Sequence, residues 1–260
     1  MSRVPSLSVV LPAYNEQDNV AIVIQRGLEV LPRLAEDFEV LVVDDGSSDA
    51  TAAVVRAISD QAYPNVRLIT HPVNRGYGAA LRTGFKMARH DLVFYTDSDN
   101  QFDLSELEYF LPLVRDHDMV IGFRVYRYDT VVRSMLSWGY NRLVRVLFRV
   151  RVRDVDCAYK LLRREVLEKI DIQCENFFVD TELVAKARKW NFRIVEKGVR
   201  HYPRMAGETT VQASDVPRTL RAVVRMWQQI YWPTQRQRKR REAHETTAET
   251  HGVEALPPKR

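Results

Sequence analysis

The chain has 260 residues, 45% of them apolar and 28% charged, with a formal net charge of +5. That suffices for a full core and suits one large domain with appendages better than two equal ones. No run approaches the roughly 20 apolar residues needed to cross a bilayer. Cys157 and Cys174 are too few for a disulfide framework, point to a reducing compartment and lack the short-spaced partners of a zinc site.

In chain order, residues 7–11, 39–43, 66–70, 92–95 and 119–122 are short β-rich runs, alternating with helical patterns over 18–31, 49–60, 77–89 and 104–114. This alternation predicts right-handed βαβ units and an α/β, Rossmann-like, mostly parallel sheet flanked by helices. The first apolar run is cut by Pro12, Asn15 and Glu16, so no signal peptide is expected there. After Gly122 the alternation lapses. Residues 131–148 and 180–190 are expected helices, the second with Asp180 as N-cap. Residues 192–196 are expected to return to the sheet, and 216–232 to form an amphipathic helix. From residue 234 the composition is polar and biased, which reads as disorder. Arginines crowd residues 124–153 and the C-terminal region, and such clusters attract phosphates, anionic membranes or nucleic acid.

Ligands of such sheets bind beyond the carboxyl ends of the strands. Three runs end there in polar residues: Pro12-Ala13-Tyr14-Asn15-Glu16, Asp44-Asp45-Gly46-Ser47-Ser48-Asp49 and Asp97-Ser98-Asp99-Asn100-Gln101. Alternation places Asp97 and Asp99 on one side. Two carboxylates so close raise each other's pKa unless a cation lies between them. A hard divalent ion, Mg²⁺ or Mn²⁺, shared with substrate phosphates, suits them; a solvated Asp-rich turn is the plainer alternative. For the Asp44–Asp49 run, a turn with a helix cap stands beside a carboxylate on a ribose or base. Asn74-Arg75-Gly76-Tyr77-Gly78-Ala79-Ala80-Leu81 fails as a dinucleotide loop because Leu81 occupies the third glycine position. It reads either as a tight helix entry or as a helix start lying close to a ligand. Lys160, in Asp156-Cys157-Ala158-Tyr159-Lys160, is compatible with a solvated face. In Phe177–Leu183, capping and function compete for Asp180. His201-Tyr202-Pro203-Arg204 is a polar loop suited to a diphosphate.

Taken together in this order over residues 7 to 210, and with Gly122-Phe123-Arg124 and the set Arg133, Ser137 and Asn141, these motifs resemble the family 2 glycosyltransferases of GT-A fold. They look most like the dolichyl-phosphate mannosyltransferase group, which loads a sugar onto a polyprenyl phosphate. The resemblance implies donor contacts from Pro12, Tyr14, Glu16, Asp44, Asp45, Asn74, Gly78, Asp97 and Arg204. It implies a metal on Asp97, Asp99 and Gln101, an acceptor phosphate on Arg124, Arg133 and Ser137, and catalytic roles for Asp99, Arg124, Arg133 and Asp180. The expected organisation is a transferase domain over 1–215, an amphipathic, membrane-interfacial helix over 216–233 and a disordered basic and polar tail over 234–260. Asn100 stands where many relatives have glycine.

The expected reaction is metal-dependent, inverting transfer of a hexose, mannose or glucose, from a nucleotide diphosphate sugar to a polyprenyl or dolichyl phosphate. A phosphate nucleophile is largely ionised at neutral pH and needs no strong base, so Asp180 would orient the acceptor or a sugar hydroxyl. Trp227, Tyr231 and Trp232 suit a membrane interface, and the arginines suit anionic headgroups. The expected location is the cytoplasmic face of a membrane, with room for a partner that supplies membrane-spanning helices. The rivals are a transferase with a soluble sugar or small hydroxyl acceptor, a non-catalytic nucleotide-sugar sensor and a nucleic-acid module. The last is disfavoured, because the tail lacks interleaved aromatics and the acidic strand ends repel phosphate.

Overall fold

The computed structural model describes residues 3–125, 131–203 and 216–232, with the backbone alone at 61, 62, 131–134, 136, 216–220 and 222. Among them, seven strands form one sheet: β1 (Val4–Ala13), β2 (Ala35–Asp44), β3 (Val66–Thr70), β4 (Leu92–Thr96), β5 (Met119–Arg124), β6 (Tyr159–Arg163) and β7 (Ile194–Val199). Their order is β3-β2-β1-β4-β6-β5-β7. Every pairing is parallel except those of β6, which runs antiparallel to both β4 and β5. The helices are α1 (Val20–Leu34), α2 (Thr51–Ala62), α3 (Tyr77–Met87), α4 (Val131–Phe148), α5 (Arg164–Lys169), α6 (Val179–Lys189) and α7 (Val216–Tyr231).

The central strands are apolar almost throughout because both sheet faces are covered. The pleat sends Val9, Leu11, Val40, Val42 and Phe94 into one core with Val20, Ile24 and Leu31 of α1. It sends Val10, Leu41, Val93, Tyr95 and Ile121 into a second core with Leu81 of α3, Leu183 of α6 and Met226 of α7. The two cores clamp the sheet and leave its carboxyl-end loops as the place where polar groups gather.

The structure departs from the sequence reading at four places. The helix expected over 104–114 is two 3-10 segments, Leu104–Tyr109 and Leu111–Arg115. Pro112 lacks the N–H an α-helix needs there and disfavours helical geometry at the residue before it. Asp180 does not cap α6; Phe178 is at the N-cap position and Asp180 lies buried in the first turn. Strand β6 and the six-residue α5 had no periodic signal, and Lys160 interrupts β6. Trp227 and Tyr231 pack against the second core, and the Tyr231 hydroxyl donates to the Phe148 carbonyl at 3.1 Å, so core packing rather than an interface claims them. Trp232 remains 65% exposed. No helix among the described residues is long and apolar enough to cross a membrane. The expected tail, 234–260, lies outside the described residues.

Candidate active site

The loops after β1 and β2 are knitted into one unit. The Asn15 amide donates to Ser47 Oγ at 2.9 Å, and the Ser48 amide donates to Asn15 Oδ1 at 2.9 Å. Asp49 accepts from the amides of Thr51 (2.9 Å) and Gln17 (3.1 Å). Burial pushes the Asp49 pKa up, but the bonds from Thr51 and Gln17 outweigh it and leave the carboxyl below its ordinary value. The β4 loop joins this unit where the Ser98 hydroxyl donates to the Pro12 carbonyl at 2.5 Å.

Asp97 follows β4 directly. Burial first, then the adjacent Asp99 charge, raises its carboxyl to about 8, while Tyr77 and Lys160 pull the other way. The Tyr77 hydroxyl and Thr96 Oγ1 are buried without a partner in hydrogen-bond geometry. Behind them, Asp180 accepts from the Tyr95 hydroxyl at 2.6 Å and from Lys160 Nζ, which also donates to the Cys157 carbonyl at 2.6 Å. Asp156 Oδ1 is also buried and unpartnered, and burial followed by the charges of Asp180 and Asp154 lifts this carboxyl to about 7. Negative charge thus exceeds positive charge at the end of β4. No three His, Cys, Asp or Glu side chains converge on a metal site among the described residues. Two carboxylates with open positions left for phosphate oxygens and water are the donor set of Mg²⁺ or Mn²⁺ sites on nucleotides, so these residues fit such an ion.

The structure brings the expected donor residues other than Arg204 to this edge, several of them with their polar atoms already engaged. Tyr14 is exposed, Pro12 is buried, and Glu16 accepts from Asn19 Nδ2 at 2.8 Å. Asp44 is buried and accepts from the Ser47 amide at 3.1 Å. Asp45 is buried and accepts from the amides of Arg75 (3.0 Å) and Gly76 (2.7 Å) and from His71 (2.6 Å). Asn74 is exposed, and Gly78 is buried at the start of α3. Asp99 accepts from the Gln101 amide at 3.1 Å. The Gln101 side chain donates to the Tyr202 carbonyl at 2.8 Å, anchoring the short bridge between Phe102 and His201. Asn100 has φ of +61°. This left-handed conformation, which asparagine tolerates and glycine prefers, accounts for either residue at that position.

On the acceptor side, Arg124 forms a bidentate pair with Asp154 at 2.6 and 2.8 Å. Although burial works against the charged form, the bonds and charge of Asp154 raise the guanidinium pKa further. Ser137 lies on α4 and accepts from Asn141 Nδ2 through its carbonyl at 2.9 Å. Arg133 is on α4 with its side chain outside the described residues, as is all of Arg204. Lys160 is fully buried, which corrects the reading of a solvated face. Sequence reasoning passed over His71, Thr83, Tyr95 and Tyr77. Each is a single residue of a common type, and only the fold brings His71, Tyr95 and Tyr77 beside a carboxylate and Thr83 beside His71. A cavity of about 560 Å³ lies at the opposite edge of the sheet, lined by Val4, Leu92, Arg163 and Arg164 among others, and none of the residues above borders it.

The chain matches glycosyl transferase family 2 over residues 8–171. It is 32% identical over 236 residues to the glycosyltransferase AglD of Haloferax volcanii, covering 86% of this chain and 37% of that protein. It is 29% identical to a dolichyl-phosphate beta-glucosyltransferase of Dictyostelium discoideum, covering 74% of this chain and 65% of the relative. The chain therefore spans between about a third and two thirds of the length of these two curated relatives. Among solved structures it resembles glucosyl-3-phosphoglycerate synthase of Mycobacterium tuberculosis in complex with phosphoglyceric acid, with a TM-score of 0.65 and 21% identity over 86% of this chain and 79% of that one. Another structure of that synthase holds Mn²⁺, uridine diphosphate and glucosyl-3-phosphoglycerate. The mixed, helix-flanked sheet is a GT-A fold, and the chain belongs to glycosyl transferase family 2.

Proposed function

We propose that this chain transfers a hexose from a nucleotide diphosphate sugar with the help of Mg²⁺ or Mn²⁺. The observation that carries the reading is the placement of Asp97 and Asp99 directly after β4, at the carboxyl edge of the sheet, close enough that the Asp99 charge adds to burial in raising the Asp97 pKa. When bound, the ion neutralises charge developing on the leaving diphosphate. Asp97 and Asp99 hold it, and Gln101 fixes the adjacent chain through Tyr202. Tyr14, Glu16 and Asp44, on the knitted loops after β1 and β2, hold the nucleoside. Residues 1–215 constitute the transferase domain.

Two acceptors have support. A soluble small molecule is favoured by the likeness to a synthase solved with phosphoglyceric acid. A polyprenyl phosphate is favoured by the names of relatives such as dolichyl-phosphate beta-glucosyltransferase. It is also favoured by the state of Asp180. A hydroxyl acceptor calls for a base, and this carboxylate is turned inward onto Lys160 and Tyr95, whereas a phosphate acceptor arrives ionised. In the lipid reading, Arg133 and Ser137 on α4 receive the phosphate. The exposed Met135 and Trp138 of that helix and the exposed Trp232 then face an anionic membrane.

The test incubates the full chain with labelled UDP-glucose or GDP-mannose, Mn²⁺, and either a short polyprenyl phosphate or 3-phosphoglycerate. Water-soluble product selects the small acceptor and organic-soluble product the lipid. Binding of donor without turnover of either acceptor would sink both.

A further inference from the structure

Residues 73–78 form a turn wedged between two other loops. Gly46 has φ of +72°, and a Cβ there would stand 2.5 Å from the Val73 carbonyl carbon and 2.6 Å from the Asn74 nitrogen. Gly76 has φ of +96°, and a Cβ there would stand 2.2 Å from the Glu175 carbonyl oxygen. The loop after β2 and the loop before α6 therefore approach the turn to backbone contact. The Gly78 amide closes the second approach by donating to Glu175 at 2.9 Å.

Buried carboxylates hold both sides. Glu182 accepts from the amides of Gln173 (3.1 Å) and Cys174 (2.7 Å) and pairs with Lys186 at 2.5 Å. On the other side, Asp45 offers one oxygen to the Arg75 amide and His71 Nδ1 and the other to the Gly76 amide. His71 Nε2 meets Thr83 Oγ1 of α3 at 2.9 Å. An ionised carboxylate only accepts, so Nδ1 carries the proton, and in the neutral ring Nε2 accepts from the Thr83 hydroxyl. Asp45 and His71 are 3% and 5% exposed. With three donors on it and almost no surface, the Asp45 carboxylate is directed at the turn rather than at a ligand.

We propose that Asp45 and His71 are positioning residues that lock the turn at residues 74–76 into the wall of the donor site, so that Asp45 acts on the donor through this turn and not by contact. The proposal rests on the donor reading above. It names a specific device: the chain Thr83–His71–Asp45 ties α3 to the amides of Arg75 and Gly76, leaving Asn74 exposed at the tip.

Three variants of the full chain test it: His71→Leu, which removes both bonds, His71→Asn, which keeps an N–H toward Asp45, and the mild Thr83→Val. Two quantities are read, amide hydrogen exchange at Arg75 and Gly76 and the affinity for UDP and GDP with Mn²⁺. His71→Leu is expected to speed exchange at these two amides about tenfold, as local opening becomes easier. It is also expected to weaken nucleotide binding and raise the donor KM by about tenfold, leaving the acceptor KM within about twofold, as loss of a positioning contact does. His71→Asn returns each quantity to within about threefold of the parent, and Thr83→Val falls between parent and His71→Leu. Unchanged exchange at Arg75 and Gly76, exchange that rises equally throughout the chain, a loosened turn with unaltered nucleotide affinity, or His71→Asn behaving like His71→Leu would each overturn the proposal. If the parent binds neither nucleotide, the donor reading fails, and with it the role of the turn as a donor wall. The exchange data then still decide whether Asp45 and His71 lock the turn.

Discussion

Replacing Lys160 by methionine removes one charge from the centre of the sheet at nearly constant volume. Lys160 is fully buried in β6, and its ammonium donates to Asp180 and to the Cys157 carbonyl. Without it, Asp180 keeps only the Tyr95 hydroxyl as a strong donor. Breaking a buried pair by removing one partner costs about 3–5 kcal/mol. For a chain of this size, each kcal/mol moves the melting temperature by roughly 2–4 °C. Asp180→Asn strands the lysine and is expected to cost a similar amount. The double variant buries no net charge and is expected to lie within about 1–2 kcal/mol of the parent, because neutral, well-packed replacements of buried pairs are often tolerated. Urea unfolding of all four proteins at pH 7 without metal gives the cycle. Two single variants each within about 1 kcal/mol of the parent, or a double variant as unstable as their sum, would refute the argument. The cycle also separates two roles for Asp180. A carboxylate that only orients substrate would lose turnover on Asp180→Asn with stability unchanged.

Three further outcomes follow from the same geometry. The Asp97 carboxyl is raised from 3.8 to about 8, by burial first and then by Asp99. The folded state therefore holds a proton that the unfolded chain releases, and stability from this group is present at low pH and declines as pH rises through that window. Metal-free melting from pH 5 to 8.5 should show the decline, Asp97→Asn should lessen it, leaving the share below about pH 7 that the raised Asp156 carboxyl contributes, and should abolish transfer, and Mn²⁺ affinity should rise across the same range. A profile identical in parent and Asp97→Asn would contradict this. Gly76→Ala should cost at least about 1–3 kcal/mol in chemical unfolding, since it combines a positive φ with a backbone collision; a neutral result would mean that the turn yields freely. In the lipid reading, Trp138→Glu, on a side chain 71% exposed, should weaken flotation with anionic liposomes and leave melting unchanged. Equal flotation would remove α4 from the membrane account.

The parallel half of the sheet was legible because its strands are continuous apolar runs that end abruptly in polar residues, as at Ala13-Tyr14-Asn15 and Val43-Asp44. The Asp97 and Asp99 pair was legible for the same reason. Strand β6 was not, because a lysine is the second of its five residues and the aspartate that neutralises it lies 20 residues further along the chain. The engagement of Asp45 was also hidden. Its motif announces a carboxylate at a strand end, but which groups occupy that carboxylate depends on His71 and on the amides of Arg75 and Gly76, which only the fold brings near. Arg124 shows the same limit. A phosphate-binding guanidinium and one spent on Asp154 look identical in sequence.

The most direct test titrates Mn²⁺ into the chain by electron paramagnetic resonance, with and without UDP or GDP, in the parent and in Asp97→Asn and Asp99→Asn. A nucleoside diphosphate should tighten Mn²⁺ binding in the parent by about tenfold or more, and each substitution should abolish that gain, because ion and diphosphate share one site. Mn²⁺ binding that ignores the nucleotide, or a gain that survives both substitutions, would contradict the account.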